Sequence, residues 1–160
     1  MSKESQFTIE MTHLEGYQFN VNFGMESMPD LLVDEPAPLG EGKGPNPSRM
    51  LAAAAANCLS ASLLYCVTKN QPPAGSVKAT AVCTLERNGS NRLRIGRMDI
   101  TLTVDGELEN AVRMKRCLDL YEDFCVVTAS LRDGFPIDVA VINEAGDTLH
   151  QSETREESIA

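Results

Sequence analysis

The stretch from Gly44 to Ser60, GPNPSRMLAAAAANCLS, decides the fold because it predicts where the longest helix begins. Asn46 is a good N-cap residue, and Pro47 suits the first helical position. The five alanines that follow are the strongest helix formers. The helical pattern continues to Thr68 or Lys69, so Cys58 is expected about three turns into this helix.

Alternating apolar residues and turn residues predict the elements around this helix. In chain order they are an N-terminal hairpin (7–12 and 17–23), a short apolar piece (31–33), a loop rich in proline and glycine (36–47), a long antiparallel hairpin (77–87 and 93–104), an amphipathic helix (107–121), a short helix (125–131) and a last strand (135–142). The alternation fails near Gly96, which predicts a β-bulge. This order predicts a single α+β domain over 1–160, with a core at about 5–142 and a frayed polar tail at 143–160.

Composition excludes several classes of function. The chain has 160 residues and a net charge of −9, which argues against a nucleic-acid partner because phosphate binding needs a basic face. Its longest apolar run, Met50 to Ala56, is far shorter than the ~20 residues of a membrane-spanning helix. The polar N-terminus lacks the apolar region of a signal peptide, so a cytoplasmic protein is expected.

The cysteine content also favours a reducing compartment. The five cysteines are Cys58, Cys66, Cys83, Cys117 and Cys125, and an odd count is atypical of a secreted disulfide framework. Their spacing lacks the Cys-x-x-Cys pattern of zinc sites, so no metal or other cofactor is expected. Cys66, Cys83 and Cys117 are interpreted as buried small hydrophobic residues.

Cys58 and Cys125 are the candidates for thiol chemistry. A cysteine reacts as the thiolate, and Cys125 directly precedes a predicted short helix whose positive end favours that form. Cys58 lies deep in its helix, so only a nearby arginine or hydroxyl could activate it. Arg49, in the first turn, is either a solvated cation or a guanidinium turned toward the thiol.

The two cysteine frames together resemble the OsmC/Ohr family of osmotically inducible and organic hydroperoxide resistance proteins. The resemblance is carried by a Gly-x-Asn-Pro opening with an alanine-rich stretch that ends in Cys58, and by Tyr-Glu-Asp-Phe-Cys125-x-Val-Thr-x-Ser. It implies a two-layer α+β fold with antiparallel sheets, two long central helices and an intertwined homodimer whose thiol sites lie at the interface. In peroxidase members one thiolate attacks the peroxide and the resulting sulfenic acid condenses with the second cysteine. The resemblance therefore implies that Cys58 is peroxidatic, that Cys125 is resolving, and that an external thiol reduces the pair.

The chain departs from the family pattern at the activating residues. Peroxidase members commonly carry a glutamate directly after Asn-Pro, which orients an arginine from the N-terminal region. This chain has Ser48 at that position and no arginine before Arg49. Ser48, Arg49 and Glu122 are therefore the residues expected to activate or line the site.

Two functional hypotheses follow. The first is a thiol-dependent peroxidase that reduces organic hydroperoxides or hydrogen peroxide through Cys58 and Cys125. The second is a non-peroxidatic dimer that binds a small apolar ligand, or senses oxidants, at the same interface pocket. A purely structural dimer is a third alternative.

Overall fold

The computed structural model describes residues 6–69, 75–134, 137–143 and 145–152, and these form the α+β architecture that the sequence predicts. The strands are β1 (Glu10–His13), β2 (Phe19–Asn22), β3 (Leu31–Val33), β4 (Val77–Arg87), β5 (Leu93–Val104), β6 (Val139–Ile142) and β7 (Thr148–Ser152). The α-helices are α1 (Pro47–Thr68), α2 (Gly106–Glu109), α3 (Met114–Leu118) and α4 (Val126–Asp133), and a 3-10 helix covers Tyr121–Phe124. Strands β1, β2 and β3 form one antiparallel sheet, while β4–β5 and β6–β7 form two-stranded antiparallel ribbons.

Helix α1 begins and ends where the sequence predicts. The Asn46 side chain accepts a hydrogen bond of 3.1 Å from the backbone N–H of Arg49, which satisfies one of the free donors of the first turn. At the other end Lys69 adopts the left-handed conformation that closes many helices. By length and composition α1 is apolar enough to cross a membrane. In this fold it packs against β4 and supplies half of the buried apolar residues.

The long β4–β5 ribbon carries the bulge that the sequence predicts. Thr84 pairs with Arg97 and Leu85 pairs with Ile95, so Gly96 is the extra residue on β5. The ribbon thus gains a local twist beside α1.

The prediction of one amphipathic helix over 107–121 is wrong. Helices α2 and α3 are separate short turns, followed by the 3-10 helix. Buried or partly buried residues recur every third position, at Leu108, Ala111, Met114 and Cys117. A repeat of three matches the 3-10 helix better than the 3.6 residues of an α-helix, and the N–H groups of Ala111 and Met114 each bond to the carbonyl three residues back. The expectation of two long central helices is therefore also wrong for the described residues, where α1 is the only long one.

The prediction of a frayed tail is wrong for residues 148–152. Strand β7 pairs with β6, and Asn143 and Asp147 close the turn between them through a backbone bond of 3.0 Å. The predicted last strand is found from Val139 onward, and positions 135 and 136 lie outside the described residues.

Cys66 and Cys117 are not inert thiols, contrary to the sequence-based interpretation. They form a disulfide with a Cα–Cα distance of 5.7 Å that joins α1 to α3. Both are buried, as predicted, in the core cluster with Leu63, Leu108 and Met114. Burial was predictable from their apolar surroundings, but the bond depends on how the short turns after β5 lie against α1.

Candidate active site

The fold brings together Cys58 and Cys125, which lie in two separate segments of the sequence. Cys58 is partly buried on α1, and Cys125 is fully buried at the N-cap position of α4. The two side chains hydrogen-bond to each other. Two free thiols in direct contact form a site that can hold one negative charge. On oxidation the same two thiols can form a disulfide.

Cys125 is the more acidic of the two thiols. The backbone N–H of Thr128 donates to its sulfur at 3.5 Å, as expected for a residue that caps a helix. Burial alone opposes ionisation of Cys125. Hydrogen bonds from Cys58, Thr128 and Val127 outweigh that effect, so the pKa of Cys125 lies below its ordinary value.

Cys58 keeps its proton. Burial, and then the hydrogen bond to Cys125, raise the pKa of the Cys58 thiol, although the Val127 N–H and the Ser62 hydroxyl act in the opposite direction. When the pair carries one negative charge, that charge therefore lies on Cys125 and the Cys58 thiol donates to it. This agrees with the argument from the helix end, which favours Cys125 as the more acidic group.

This charge distribution gives a direct test. In a Cys83→Ser background, replacing Cys58 with alanine removes the donor to Cys125, whereas replacing it with serine keeps a donor at the same place. We expect the Cys125 titration, followed by thiolate absorbance at 240 nm, to have a higher midpoint pH in Cys58→Ala than in Cys58→Ser. Equal midpoints in the two variants would contradict the hydrogen bond.

A cleft of about 570 Å³, lined by both apolar and charged side chains, lies beside the thiol pair. Its apolar wall includes Leu51, Ala55, Leu59, Ile95, Ile100 and Leu131. The cysteines do not line it themselves; Leu59, next to Cys58, and Thr128, bonded to Cys125, connect it to them. The buried Thr128 side chain also interacts with the Cys125 sulfur and helps to lower the pKa of that thiol.

Arg132 is a site residue that the sequence reasoning missed. Its guanidinium forms a 2.5 Å ion pair with Glu122, and both side chains line the cleft. Burial and Glu122 raise the pKa of Tyr121, whereas Arg132 lowers it and the charge on Cys125 raises it further. Arg132 and Cys125 thus lie close enough to affect the same hydroxyl. The signal was present in the sequence, because Arg132 follows Thr128 by four residues, which places both on one face of a helix.

Ser48 and Arg49 are not brought to the thiols. Arg49 lies in the first turn of α1 and its guanidinium donates to the Asn46 side chain at 3.4 Å. Nine residues of helix separate Arg49 from Cys58, a rise of about 13 Å. Ser48 lines a separate, smaller pocket with Leu85 and Leu93. Of the expected activating residues, only Glu122 is found at the cleft beside the cysteines.

Comparison with known proteins gives a family match and several similar folds. Residues 40–140 match the family described as OsmC-like protein. No curated protein matches the chain. The fold is similar to an OsmC-like protein of unknown function from Vibrio cholerae, with a TM-score of 0.61 and 15% identity over 79% of this chain and 94% of that one.

Two further solved structures share the fold. One is the organic hydroperoxide resistance protein OsmC from Legionella pneumophila, with a TM-score of 0.57 and 16% identity over 82% of this chain and 92% of that one. The other is an organic hydroperoxide resistance protein from Elizabethkingia anophelis, with a TM-score of 0.55 and 17% identity over 81% of this chain and 91% of that one. At these identities the likeness concerns the fold alone.

Proposed function

This chain belongs to the OsmC-like family, and on that premise we propose that it is a thiol-dependent peroxidase that reduces organic hydroperoxides or hydrogen peroxide. The observation that carries the proposal is the hydrogen-bonded pair of free thiols, Cys58 and Cys125, beside a cleft with both apolar and charged walls. A thiol pair with one shared proton supplies both the nucleophile and the group that later forms the disulfide.

The proposed reaction starts with the more accessible sulfur. Cys58 is partly exposed, whereas Cys125 is fully buried. Cys58 transfers its proton to Cys125 and attacks the outer peroxide oxygen. The O–O bond breaks, and the leaving alkoxide takes the proton from Cys125, which gives the alcohol and leaves Cys125 as the thiolate. Cys58 is then a sulfenic acid, which Cys125 attacks to form the disulfide. From a thiol and a thiolate plus ROOH, the products are one disulfide, ROH and hydroxide.

The neighbours of the pair support each step. The Ser62 hydroxyl and the Val127 N–H favour the charged form of Cys58 when it loses its proton. Arg132 lines the cleft, so its positive charge can stabilise the leaving oxygen as that oxygen becomes negative. The pair of Arg132 and Glu122 would then replace the arginine and glutamate that peroxidase members hold elsewhere.

An Arg132→Gln variant is expected to react with tert-butyl hydroperoxide about tenfold more slowly, because a partly solvated guanidinium stabilises the developing charge by about 1.4 kcal/mol. The measurement is the second-order rate constant under stoichiometric peroxide. Arg87→Gln makes the same change of charge on β4, where the guanidinium bonds to the Asn91 carbonyl, and serves as the matched control. An equal effect of both variants would remove Arg132 from the site.

We also propose that the active form is a homodimer. Ribbon β6–β7 has only two strands, and a two-stranded hairpin is marginally stable in water on its own. Its apolar residues Val139, Val141, Ile142 and Leu149 are 45–66% exposed in the single chain. A second copy is the partner expected to cover them, and sedimentation equilibrium should then give about twice the mass of the 17.4 kDa chain.

The experiment that tests the proposed function uses the reduced protein with cumene or tert-butyl hydroperoxide. Peroxide loss is followed with time, and disulfides are mapped by mass spectrometry. We expect one peroxide consumed per Cys58–Cys125 bond formed, and sustained turnover only when an external dithiol is supplied. No peroxide loss and no such bond would refute the proposal.

The cleft itself favours a second candidate function, which is binding of a small apolar ligand or sensing of oxidants without turnover. Its apolar wall and the charge of Arg132 suit a ligand with an acyl chain and a polar end. Binding of a fluorescent fatty acid, and its displacement by unlabelled competitors, tests this function. Tight ligand binding by a protein that consumes no peroxide would favour it over the peroxidase.

The proposed location is the cytoplasm, as the sequence predicts. The Cys66–Cys117 disulfide is unusual for that compartment, where thiols are kept reduced. The redox state of these two cysteines in cells, measured by trapping thiols with an alkylating agent, is therefore informative about the location.

A further inference from the structure

Two pairs of cysteines lie between the same two segments of the chain. Cys58 and Cys66 lie eight positions apart on α1, and Cys117 and Cys125 lie eight positions apart between α3 and α4. The chain directions are opposed, so Cys66 is bonded to Cys117 while Cys58 contacts Cys125. The first pair is a disulfide, and the second pair is a dithiol.

The segment that carries Cys117 and Cys125 has little regular structure of its own. Helix α3 has five residues and the 3-10 helix has four, both too short to be stable in isolation. Leu118, Leu120 and Phe124 are exposed in the single chain. Tyr121 packs only partly against the core.

The disulfide is the covalent attachment of this segment to α1, in addition to the packing of the 3-10 helix and α4 against the same helix. Cys117 is 1% exposed and covalently bonded to α1, and only seven residues separate it from Cys125. We propose that the Cys66–Cys117 disulfide is a positioning bond, which keeps Cys125 within bonding distance of Cys58. This inference rests on the proposed function for its consequence, which is fast closure of the redox pair, but the positioning can be measured without peroxide.

The physical basis is effective concentration. A tether that holds two groups in register makes their reaction intramolecular in a favourable geometry, and a looser tether lowers the rate. With the disulfide absent, residues 118–125 are held only by non-covalent contacts: the packing of the 3-10 helix and α4 against α1, the Arg132–Glu122 ion pair and the cap of α4. Cys125 then spends less time against Cys58.

Diamide, which oxidises dithiols without peroxidase chemistry, is the probe. Two proteins are compared: the Cys83→Ser variant, and the Cys83→Ser variant that also carries Cys66→Ala and Cys117→Ala. Cys83, on β4, is replaced in both because it belongs to neither cysteine pair. We expect the Cys58–Cys125 bond to form at least about tenfold more slowly without the disulfide. Hydrogen exchange should be faster over 106–125 in the variant, with α1 and β4–β5 as the internal reference for folding.

The outcomes are distinguishable. Equal rates in a variant whose α1 and β4–β5 remain protected would overturn the positioning role. If α1 and β4–β5 lose protection from hydrogen exchange, the Cys66→Val, Cys117→Ala variant is used instead, because valine refills the core. The ratio of its disulfide-formation rate to that of the Cys83→Ser protein then tests the positioning role. If diamide shows the difference but tert-butyl hydroperoxide leaves the Cys83→Ser protein reduced, the positioning role stands and the peroxidase proposal fails.

Discussion

A Cys58→Ser variant is expected to lose tert-butyl hydroperoxide consumption by at least about a thousandfold. A serine hydroxyl is almost never ionised near neutral pH, and its oxygen cannot take up the peroxide oxygen as sulfur does. The fold, the cleft and the Arg132–Glu122 pair should all be retained, because serine fits the partly buried position of Cys58. The measurement is the rate of peroxide loss under excess dithiol.

The partner variant separates the roles of the two sulfurs. Cys125→Ser keeps the nucleophile but removes the group that closes the disulfide, so we expect a sulfenic acid on Cys58 that dimedone traps. Cys83→Ser is the control that should change neither result. Dimedone labelling of Cys125 in the Cys58→Ser protein would reverse the roles, which is a real alternative because Cys125 has the lower pKa of the two thiols.

The second large effect concerns stability. Replacing Cys66 and Cys117 with alanine is expected to lower the free energy of unfolding by about 4 kcal/mol, because the bond spans 51 residues and restricts the unfolded chain accordingly. That is a large part of the ~5–15 kcal/mol that stabilises a typical domain. Urea unfolding at a fixed protomer concentration, without reductant, measures it.

The wild-type protein supplies its own control for this prediction. After reduction of the disulfide it should unfold at a urea concentration close to that of the double variant, since both lack the same constraint. A loss below about 1 kcal/mol in both would mean that the turns after β5 are held mainly by the packing of Leu108 and Met114.

Local features of the fold could be predicted from the sequence. The Asn46 cap joins residues three positions apart, so the start of α1 depends on a local interaction that the sequence shows directly. The bulge at Gly96 and the long β4–β5 ribbon also follow from near neighbours and a turn. The prediction of one helix over 107–121 was wrong because its apolar residues fit both the 3.6-residue period of an α-helix and a period of three. Packing against α1 favoured the period of three.

By itself the sequence determined the family, the α+β class, the extent of α1 and the two cysteines that meet. It also indicated that Cys125, at a helix end, is the more acidic thiol, because capping is a local interaction. Only the tertiary structure decided that Cys66 bonds to Cys117, that Arg132 joins the predicted Glu122 at the cleft, and that Ser48 and Arg49 lie away from the thiols. Those pairings depend on how the segment after β5 lies across α1, and contacts between distant residues leave no periodic pattern in the chain.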